Sequence, residues 1–354
     1  MSAHGIEFRQ VAKRYGDAAS PLVVKGIDLV VPKGTLTTLL GPSGCGKTTT
    51  LRMIAGLETP SAGTILIDGR DVTTLGPAER NVSMVFQSYA LFPHMSVLDN
   101  VGYGLRVSGL GREETQRRAR AAMELVGLAG YGERLPSELS GGQQQRVAVA
   151  RSLVLEPSVM LFDEPLSNLD ARLRRSMREE IRALQQRLGL TVAYVTHDQG
   201  EAMAVSDQII VMEAGRIAQA GTPQQLYEQP ASEFVAGFMG EAVLFDGQVD
   251  GQGTLRLGTL LLPGRGPGPA GPVRVAVRPE AWLIRSTDGP GPGAGGLSGR
   301  IVKSAYLGSF QELTIVTELG EIFATTTEVR AQWQPQQAVH LGLDSQGVAV
   351  LPRT

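Results

Sequence analysis

The sequence predicts an α/β fold with a mostly parallel sheet over roughly the first 240 residues, followed by a small all-β domain. Apolar segments of strand length alternate with helical segments, and several of these strands, such as Val159–Phe162, lead directly into polar residues. A glycine-rich loop connects the apolar strand Leu36–Leu40 to a helix. From about Gly240 the helical spacing gives way to short alternating segments such as Val273–Val277, which indicate a barrel-like β domain.

Length and composition are those of a soluble protein that folds into two domains. The chain has 354 residues, of which 42% are hydrophobic and 19% are charged. Its net charge of -2 gives no basic field that would attract nucleic acid. No apolar run reaches the roughly 20 residues that cross a bilayer. The first residues lack the pattern of a secretion signal. The chain has one cysteine, Cys45, which cannot form an internal disulfide. We therefore expect a protein that is made and kept in the cytoplasm.

The segment Gly41–Thr48 has the spacing of a phosphate-binding loop. It follows the predicted strand Leu36–Leu40 and leads into a helix predicted from Thr49 to Gly56, which is the context that this motif requires. Its glycines let backbone N–H groups turn toward phosphate oxygens, and the helix N-terminus adds to the positive field. We expect Lys47 to reach the outer phosphates and the Thr48 hydroxyl to bind Mg²⁺. The residues predicted to surround the phosphates are Gly41, Pro42, Ser43, Gly44, Cys45, Gly46, Lys47, Thr48 and Thr49.

The other elements of the first 240 residues follow from the spacing of apolar residues. Strand-like segments are predicted at Ile6–Val11, Val23–Val31, Thr64–Asp68, Val82–Phe86 and Thr191–Val195. Helical spacing predicts helices at Glu113–Val126, Gly141–Leu155 and Leu173–Leu188. The last of these has a charged face that we expect to contact solvent or a partner. Between residues 88 and 150 helices replace strands, which indicates a helical subdomain inserted into the α/β core.

Two adjacent carboxylates, Asp163 and Glu164, follow the apolar strand Val159–Phe162. Such a pair suits nucleotide hydrolysis, because one carboxylate can hold Mg²⁺ while the other polarises the attacking water. The pair alone does not show which of the two carboxylates takes which role. In isolation, the pair would indicate only an acidic loop at the end of a strand.

A third motif, Leu139-Ser-Gly-Gly-Gln143, stands at the start of the predicted helix Gly141–Leu155. Ser140 suits an N-cap, and the two glycines allow the backbone to approach an anion at the helix N-terminus. Together the three motifs resemble the ATP-binding-cassette family, with Gly41–Thr48 as its Walker A motif, Val159–Glu164 as its Walker B motif and this segment as its signature. The resemblance covers roughly the first 240 residues. It implies a P-loop NTPase cassette with an antiparallel β subdomain and a helical insert.

The resemblance implies further roles that the spacing alone does not supply. The Tyr15 ring is expected to stack on adenine, although a tyrosine at the rim of a strand end would look the same in the sequence. Gln87 occupies the position of the Q-loop, whose amide is expected to contact Mg²⁺ or the attacking water. Asp170 ends the D-loop, Ser167–Asp170, and His197 stands at the switch position that is expected to contact the γ-phosphate.

The family geometry also implies an active site that is shared between two copies of the chain. Two cassettes are expected to associate head to tail, and ATP would close this dimer while hydrolysis would open it. The active site of a monomer would then be incomplete. The cofactors implied are ATP and Mg²⁺, and the metal ligands implied are Thr48, Gln87 and Asp163. The catalytic residues implied are Lys47, Gln87, Glu164 and His197, with Glu164 as the catalytic base. The residues implied to cover the nucleotide bound to the partner copy are Ser140, Gly141, Gly142 and Gln143.

One phosphate-binding loop and one signature, with no fused membrane segment, resemble the separate ATPase subunits of bacterial importers. The segment Val85–Val97 resembles the subgroup that serves sugars, polyamines, ferric iron, sulfate and phosphonates. This resemblance implies docking of membrane permease subunits near Gln87–Pro93 and an indirect link to an extracytoplasmic solute-binding protein. It also implies a peripheral location at the cytoplasmic face of the inner membrane. The side chains expected to form an apolar docking groove, unless they are core of the helical insert, are Phe86, Tyr89, Leu91, Phe92 and Pro93.

The C-terminal part contains Val277-Arg-Pro-Glu280, which resembles a recurring motif of the accessory domains of this subgroup and implies an oligonucleotide-fold-like β architecture. We expect an ATPase domain at residues 1–239 and an accessory domain at residues 240–354. The Gly- and Pro-rich stretches Pro263–Pro272 and Gly289–Gly296 are not expected to contribute to a core. The junction Gly240–Phe245 departs from that of sugar-importer subunits, which favours ferric iron, polyamine, sulfate or phosphonate as the solute.

Two other functions stay open from the sequence. Soluble cassette ATPases act on ribosomes or DNA, but the former generally join two cassettes in one chain and the latter contain long coiled coils, and this sequence has neither feature. The C-terminal domain could instead sense a solute and regulate transport, although no cluster of ligand-binding residues is evident in it. Gly200 stands where the family more often has an acidic residue, but it has no predicted catalytic role.

Overall fold

The computed structural model describes residues 4–264, 270–287 and 296–351. The chain divides into two compact units, Met1–Pro223 and Gln224–Thr354. The domain boundary expected between residues 239 and 240 stays a prediction. Of the Gly- and Pro-rich stretches expected at 263–272 and 289–296, residues 265–269 and 289–295 lie outside the described residues, and Gly271 and Pro272 begin a strand.

In the described part of the first unit, the strands form two sheets, and there are six helices. Its strands are β1 (His4–Arg14), β2 (Leu22–Pro32), β3 (Leu36–Leu40), β4 (Ala62–Ile67), β5 (Arg70–Asp71), β6 (Val82–Val85), β7 (Val159–Asp163), β8 (Thr191–Val195), β9 (Gln208–Glu213) and β10 (Arg216–Gly221). Its helices are α1 (Lys47–Ala55), α2 (Val97–Val107), α3 (Arg112–Leu125), α4 (Gly141–Leu153), α5 (Ala171–Leu188) and α6 (Gln199–Val205). Short 3₁₀ turns occur at Pro77–Glu79 and Pro136–Glu138.

The central sheet has the strand order β10-β9-β3-β8-β7-β6. All its neighbouring pairs are parallel except β9 and β10 at one edge. Every residue of β3 and of β8 is buried, as expected for parallel strands that are covered on both faces. The prediction of a mostly parallel sheet is therefore confirmed.

The second sheet of this unit is antiparallel and has the order β2-β1-β4-β5, which confirms the predicted antiparallel subdomain. One hydrophobic core joins it to helix α1 and to the central sheet. In this core Phe8 and Ile65 of the antiparallel sheet, Leu51 and Ile54 of α1, and Leu161 of the central sheet form one cluster of buried side chains. Helix α1 is therefore fixed by both sheets, and its first residue is Lys47 at the end of the phosphate-binding loop.

The predicted helical insert consists of α2, α3 and the start of α4. These helices share a separate core that includes Val101, Leu105, Met123 and Val147. Helix α3 spans Arg112–Leu125, close to the predicted Glu113–Val126.

The charged face of α5 is only partly exposed to solvent. The Arg182 guanidinium donates two hydrogen bonds to the Asp207 carboxylate, one of them 2.8 Å long. Arg175 and Glu179, by contrast, form an exposed pair on the same helix. The expectation of a uniformly solvent- or partner-facing surface is therefore wrong for Arg182, which pairs within the unit.

The described residues of the second unit are all-β apart from two short helices at its start and two 3₁₀ turns, which confirms the predicted fold class of the C-terminal part. The helices are α7 (Pro223–Glu228) and α8 (Glu233–Phe238), and 3₁₀ turns occur at Pro279–Ala281 and Val329–Ala331. The strands are β11 (Val243–Val249), β12 (Leu255–Leu257), β13 (Leu260–Leu262), β14 (Gly271–Val277), β15 (Trp282–Ser286), β16 (Leu297–Tyr306), β17 (Gln311–Thr317), β18 (Gly320–Thr326), β19 (Ala338–Leu343) and β20 (Val348–Val350). They form two five-stranded sheets, β13-β12-β11-β14-β20 and β15-β19-β16-β17-β18, around one core.

The motif Val277–Glu280 has a structural role inside the second unit. The side chain of Arg278 is buried and donates hydrogen bonds to the carbonyls of Ala236, at 2.6 Å, and Tyr227, at 2.7 Å. Its guanidinium also lies 4.2 Å from the centre of the Tyr227 ring. Arg278 thereby connects α7 and α8 to the strands that follow them.

Arg80 closes the C-terminal end of α1 from inside the first unit. It is 3% exposed, and its guanidinium donates to the carbonyl oxygens of Met53, at 2.5 Å, and Ile54, at 3.2 Å. It also donates to the Leu75 carbonyl at 2.8 Å and to the Thr73 carbonyl at 3.3 Å. Burial lowers the pKa of Arg80. A positive charge at this end of the helix complements the helix dipole and binds carbonyls that have no partner within the helix.

We expect Arg80→Met to lower the free energy of unfolding by roughly 2–4 kcal/mol, because several buried carbonyl groups lose a charged donor. Chemical denaturation of both proteins measures the difference. Arg175→Met is the control, since the Arg175 side chain is 77% exposed and should contribute little. Equal losses in the two variants would contradict a special role for Arg80.

Candidate functional site

The phosphate-binding loop connects β3 to α1 as the sequence predicts. Gly44 and Gly46 have φ angles of 78° and 103°, in the left-handed region where a side chain is strained. A Cβ atom at Gly46 would also lie 3.1 Å from the Val23 carbonyl oxygen. These two positions therefore require glycine for the shape of the loop, whatever the loop binds.

Lys47 folds back over the loop that precedes it. Its Nζ donates to the carbonyl oxygens of Gly41, at 2.7 Å, and Pro42, at 2.9 Å. The Lys47 residue is only 6% exposed. A cation held by the loop in this way is suited to meet an anion that the loop encloses.

Asp163 and Glu164 follow one another at the end of β7 but differ in environment. Burial raises the pKa of the Asp163 carboxyl, and the Glu164 charge acts in the same direction, while Arg52, a hydrogen bond from Thr48 and the Lys47 charge oppose the rise. A cation bound beside Asp163 would favour its ionised form. The structure thus places the Thr48 hydroxyl next to a carboxylate that gains from a nearby cation.

Glu164 has a left-handed backbone, with φ of 45°, which is unusual for a residue other than glycine. Its N–H donates to the Val195 carbonyl at 3.0 Å, and its own carbonyl accepts a hydrogen bond from the Ser167 hydroxyl at 2.9 Å. These bonds fix the turn between β7 and the following loop. The strained backbone is held by its neighbours, as is common at functional sites.

His197 lies next to Glu164 because β8 is the parallel neighbour of β7 in the sheet. The distance between His197 Nδ1 and Glu164 Oε2 is 3.1 Å. The His197 side chain is 62% exposed and that of Glu164 is 24% exposed. The structure therefore brings together two residues that the sequence analysis assigned to catalysis, and it leaves both accessible.

A buried polar cluster that the sequence analysis missed lies beneath His197. Glu201 is 4% exposed, and its carboxylate accepts hydrogen bonds from the Tyr194 hydroxyl and, at 3.1 Å, from the Thr196 hydroxyl. Burial raises the pKa of Glu201 despite these two bonds, and burial also raises the pKa of Tyr194 well above its usual value. The cluster joins β8 to α6 on either side of His197. Nothing in the sequence shows that Glu201 is buried, since acidic residues in a first helical turn are normally exposed.

Asp198 provides a second attachment for the segment that contains His197. Its carboxylate caps α6 by accepting the Glu201 N–H at 2.8 Å. The same carboxylate lies 3.6 Å from the Arg174 guanidinium, which also donates to the Leu169 carbonyl at 3.0 Å. Arg174 therefore links the His197 segment to the predicted D-loop.

Gln87 is exposed at the edge of the central sheet, after the end of β6. The Gln87 carbonyl accepts a hydrogen bond from the Asn168 side chain at 2.9 Å, which ties Gln87 to the predicted D-loop.

The residues after Gln87 depart from the expected groove. Tyr89 is 6% exposed and packs in the core with Leu91 beside it, so the expectation that Tyr89 lines an exposed groove is wrong. Its backbone and that of Ala90 are held by hydrogen bonds from Arg151 to their carbonyls.

Phe92 and Pro93 are more exposed to solvent than Tyr89. Phe92 is partly buried, with its ring centre 4.6 Å from that of Tyr103, and Pro93 is exposed. Phe86 is also partly buried. An apolar surface at this place therefore consists mainly of Phe92, Pro93 and Tyr103.

The signature segment caps α4 as predicted. The Ser140 hydroxyl accepts the Gln143 N–H at 3.4 Å, and the Gln143 side chain accepts the Ser140 N–H at 2.9 Å, which forms a capping box. Ser140 and Gly141 are exposed, whereas Gly142 packs closely against Leu173. Among the described residues, we find no hydrogen bond between this segment and the loop Gly41–Thr48 of the same chain.

Three further predicted site residues have defined local contacts or exposure. Asp170 caps α5 by accepting the Leu173 N–H at 2.9 Å, in addition to any role in a D-loop. Tyr15 follows β1 and is 44% exposed, so much of its ring is available for stacking. Cys45 is buried in the phosphate-binding loop, and burial raises the pKa of its thiol.

Comparisons with known proteins agree with this architecture. A family model described as ABC transporter matches residues 24–167, and a model described as TOBE domain matches residues 275–351. The chain is 55% identical over 352 residues to the Fe(3+) ions import ATP-binding protein FbpC of Rhizobium etli, with 98% of this chain and 97% of that protein covered. It is 49% identical over 350 residues to the protein of the same description from Vibrio cholerae, with the same coverage.

Solved structures resemble this chain over somewhat more than half of its length. A dimeric ATP-binding cassette in a post-hydrolysis state bound to ADP and Pi is 30% identical, with a TM-score of 0.55 and coverage of 61% of this chain and 98% of that one. The protein cbiO1 from Clostridium perfringens, part of an ABC transporter complex, is 28% identical with a TM-score of 0.60, and the match covers 64% of this chain and 92% of that protein. None of the described helices of the present chain combines the length and apolar composition of a membrane span.

We expect the buried Glu201 to make stability depend on pH. The pKa of Glu201 is raised in the folded state, so this residue stabilises the folded protein at pH values below its pKa in the unfolded chain, about 4.5. The contribution is lost as the pH rises through the pKa of Glu201 in the folded protein. Glu201→Gln cannot ionise, so its free energy of unfolding relative to the wild type should increase from pH 4.5 toward neutral pH. Urea denaturation at a series of pH values measures this difference. Parallel pH profiles would rule out the effect, and the exposed Glu179→Gln variant is the control.

Proposed function

The chain belongs to the ABC transporter family of ATP-binding import proteins, and from this premise we propose that it hydrolyses ATP to drive the import of ferric iron. The observation that carries the proposal is the 55% identity to Fe(3+) import ATP-binding proteins over nearly the full length of both chains. The relatives named above are described by Fe(3+) import and not by polyamine, sulfate or phosphonate, the other solutes left open by the sequence. The site geometry suits the hydrolysis of a nucleoside triphosphate.

In the proposed hydrolysis, the loop Gly41–Thr48 encloses the phosphates with its N–H groups at the start of α1. Lys47, buried against the loop carbonyls, holds the outer phosphates. Glu164 orients the attacking water and accepts its proton, and His197, 3.1 Å from Glu164, binds the γ-phosphate from the neighbouring strand. The exposed Tyr15 ring stacks on the base.

Mg²⁺ is proposed as the cofactor of this site. The donors present fit it, because the Thr48 hydroxyl and the Asp163 carboxylate are oxygen ligands, and Gln87 can contribute an amide oxygen at the sheet edge. No group of three or more His, Cys, Asp or Glu side chains arranged to hold a metal occurs among the described residues. This is the pattern expected for Mg²⁺ that is bound by few protein ligands together with substrate phosphates. When bound, the ion would neutralise charge that develops on the phosphates.

Completion of the site by a second copy of the chain is also part of the proposal. Ser140 and Gly141 are exposed at the N-terminus of α4, and Gln143 is only partly buried there. A helix N-terminus that is exposed in this way can bind the γ-phosphate of the nucleotide held by a partner. Asp170 would lie at the same interface, as the family resemblance implies. The dimeric state of a solved relative supports this arrangement.

A membrane permease is the expected partner of an import ATPase. We place its docking surface at Phe92, Pro93 and Tyr103, which follow Gln87 in the chain and retain exposed apolar surface. The hydrogen bond from Asn168 to the Gln87 carbonyl offers a route from the nucleotide site to this surface. An extracytoplasmic solute-binding protein would act through the permease, and the chain would lie at the cytoplasmic face of the membrane.

The solute is tested by uptake in cells. A strain that lacks its own ferric-iron importer is given this chain with the permease and binding-protein genes that accompany it. We expect ATP-dependent accumulation of labelled Fe³⁺ that is lost when Glu164 is replaced by Gln. Accumulation of sulfate, phosphonate or polyamine without accumulation of Fe³⁺ would contradict the proposed solute while leaving the ATPase assignment intact.

Glu164→Gln is expected to reduce ATP turnover by about 100-fold or more, because the amide cannot accept a proton from water. ATP affinity should stay close to the wild-type value, since the phosphate-binding loop is unchanged. Steady-state ATPase rates and equilibrium nucleotide binding measure the two quantities. Undiminished turnover would exclude Glu164 as the base. Glu179→Gln, at an exposed position of α5, is the matched control.

Lys47→Ala is expected to weaken ATP binding by about 10- to 100-fold, which corresponds to the loss of a charged hydrogen bond. Fluorescence titration with an ATP analogue measures the dissociation constant of each protein. Lys33→Ala is the control, because Lys33 forms an exposed ion pair with Asp68 away from the loop. Wild-type affinity in the Lys47 variant would contradict its role as a phosphate ligand.

A further inference from the structure

We propose that Lys13 and Glu58 are positioning residues that hold the Tyr15 ring ready to stack on the base of ATP. This inference rests on the proposed function, in which Tyr15 binds the base. It adds Lys13, which contacts the aromatic ring rather than the nucleotide, and Glu58, which forms an ion pair with Lys13. It also connects the base-binding position to the same helix, α1, that begins at the phosphate-binding loop.

The first observation is the environment of Lys13 near the end of β1. Its Nζ forms an ion pair with Glu58 Oε2 at 2.8 Å and donates to the Thr59 carbonyl at 2.8 Å. The Lys13 side chain is only 12% exposed. Two short contacts, one of them to the partly buried Glu58, restrict the side chain far more than is usual for a surface lysine.

The second observation is that the restricted ammonium group lies against Tyr15. Lys13 Nζ is 4.8 Å from the centre of the Tyr15 ring, within the range of a cation–π contact. The Tyr15 residue is nevertheless 44% exposed. A cation therefore occupies one side of the ring, while a large part of its surface stays free for another planar group.

The third observation concerns Glu58, the ion-pair partner of Lys13. A hydrogen bond from Lys13 is the chief cause that lowers the pKa of Glu58. Glu58 thus holds the ammonium group that lies against the Tyr15 ring. A ring whose neighbour is fixed in this way loses less conformational freedom when it binds a ligand.

Glu58 is itself fixed by the end of α1. Gly56 ends this helix in a left-handed conformation, and the N–H groups of Leu57 and Glu58 donate to the Arg52 carbonyl at 3.0 and 3.2 Å. The helix begins at Lys47 in the phosphate-binding loop. One rigid element therefore sets the positions of the phosphate ligands at its start and, through Glu58, of the aromatic ring that is proposed to bind the base.

The inference predicts a selective effect on nucleotide affinity. In Lys13→Met the aliphatic stem remains but the charge is lost, and we expect KM for ATP to rise about 3- to 10-fold with kcat within about 2-fold of the wild type. Lys13→Arg keeps the charge and should behave nearly as the wild type.

A ligand without a base separates positioning of the ring from a general structural effect. Inorganic tripolyphosphate competes for the phosphate-binding loop but has no base to stack on Tyr15. Its inhibition constant should be unchanged in Lys13→Met, whereas a general distortion would weaken it as much as ATP. Lys33→Met, which removes a lysine from an exposed ion pair with Asp68, is the matched control and should leave both constants unchanged.

The outcomes distinguish this inference from the proposed function on which it rests. If Tyr15→Ala leaves KM for ATP unchanged, the base-binding role of Tyr15 is wrong. If Tyr15→Ala raises KM but Lys13→Met does not, or if Lys13→Met weakens tripolyphosphate equally, only the positioning role is wrong. Support requires that Lys13→Met raise KM in the wild-type background and add nothing in the Tyr15→Ala background.

Discussion

The placement of α1 between the antiparallel sheet and the central sheet is the constraint on which the rest of the site depends. Its core residues Leu51 and Ile54 pack with side chains from both sheets, and Arg80 binds the carbonyls at its C-terminal end. The position of the helix determines where Lys47 and the phosphate-binding loop lie. The parallel order of β3, β8 and β7 then brings the segments that contain Asp163, Glu164 and His197 to the same edge of the sheet.

Much of this arrangement could be predicted because it depends on local patterns. The bounds of β3 and β8 match the predicted apolar runs Leu36–Leu40 and Thr191–Val195, and the glycines of the loop have the backbone angles that the motif requires. The capping role of Ser140 also followed from its place before a helix. Adjacent parallel strands explain why Glu164 and His197, 33 residues apart in the chain, are neighbours.

The features that the sequence did not predict are those in which a polar or aromatic side chain is buried. Glu201, Arg80 and Tyr89 belong to residue types or positions that are commonly exposed, and their burial depends on how the surrounding helices and strands pack. Their burial has consequences for the site. Glu201 stiffens the segment around His197, and the Tyr89 ring removes one side chain from the apolar surface expected after Gln87.

The proposed mechanism requires that the nucleotide is hydrolysed at a site shared by two copies of the chain. Specific ATPase activity and molar mass should be measured on the same samples over a range of protein concentrations. We expect specific activity to follow the fraction of dimer, so that the activity falls as dilution produces monomers. Full specific activity in a sample that is monomeric by mass would contradict the proposed mechanism.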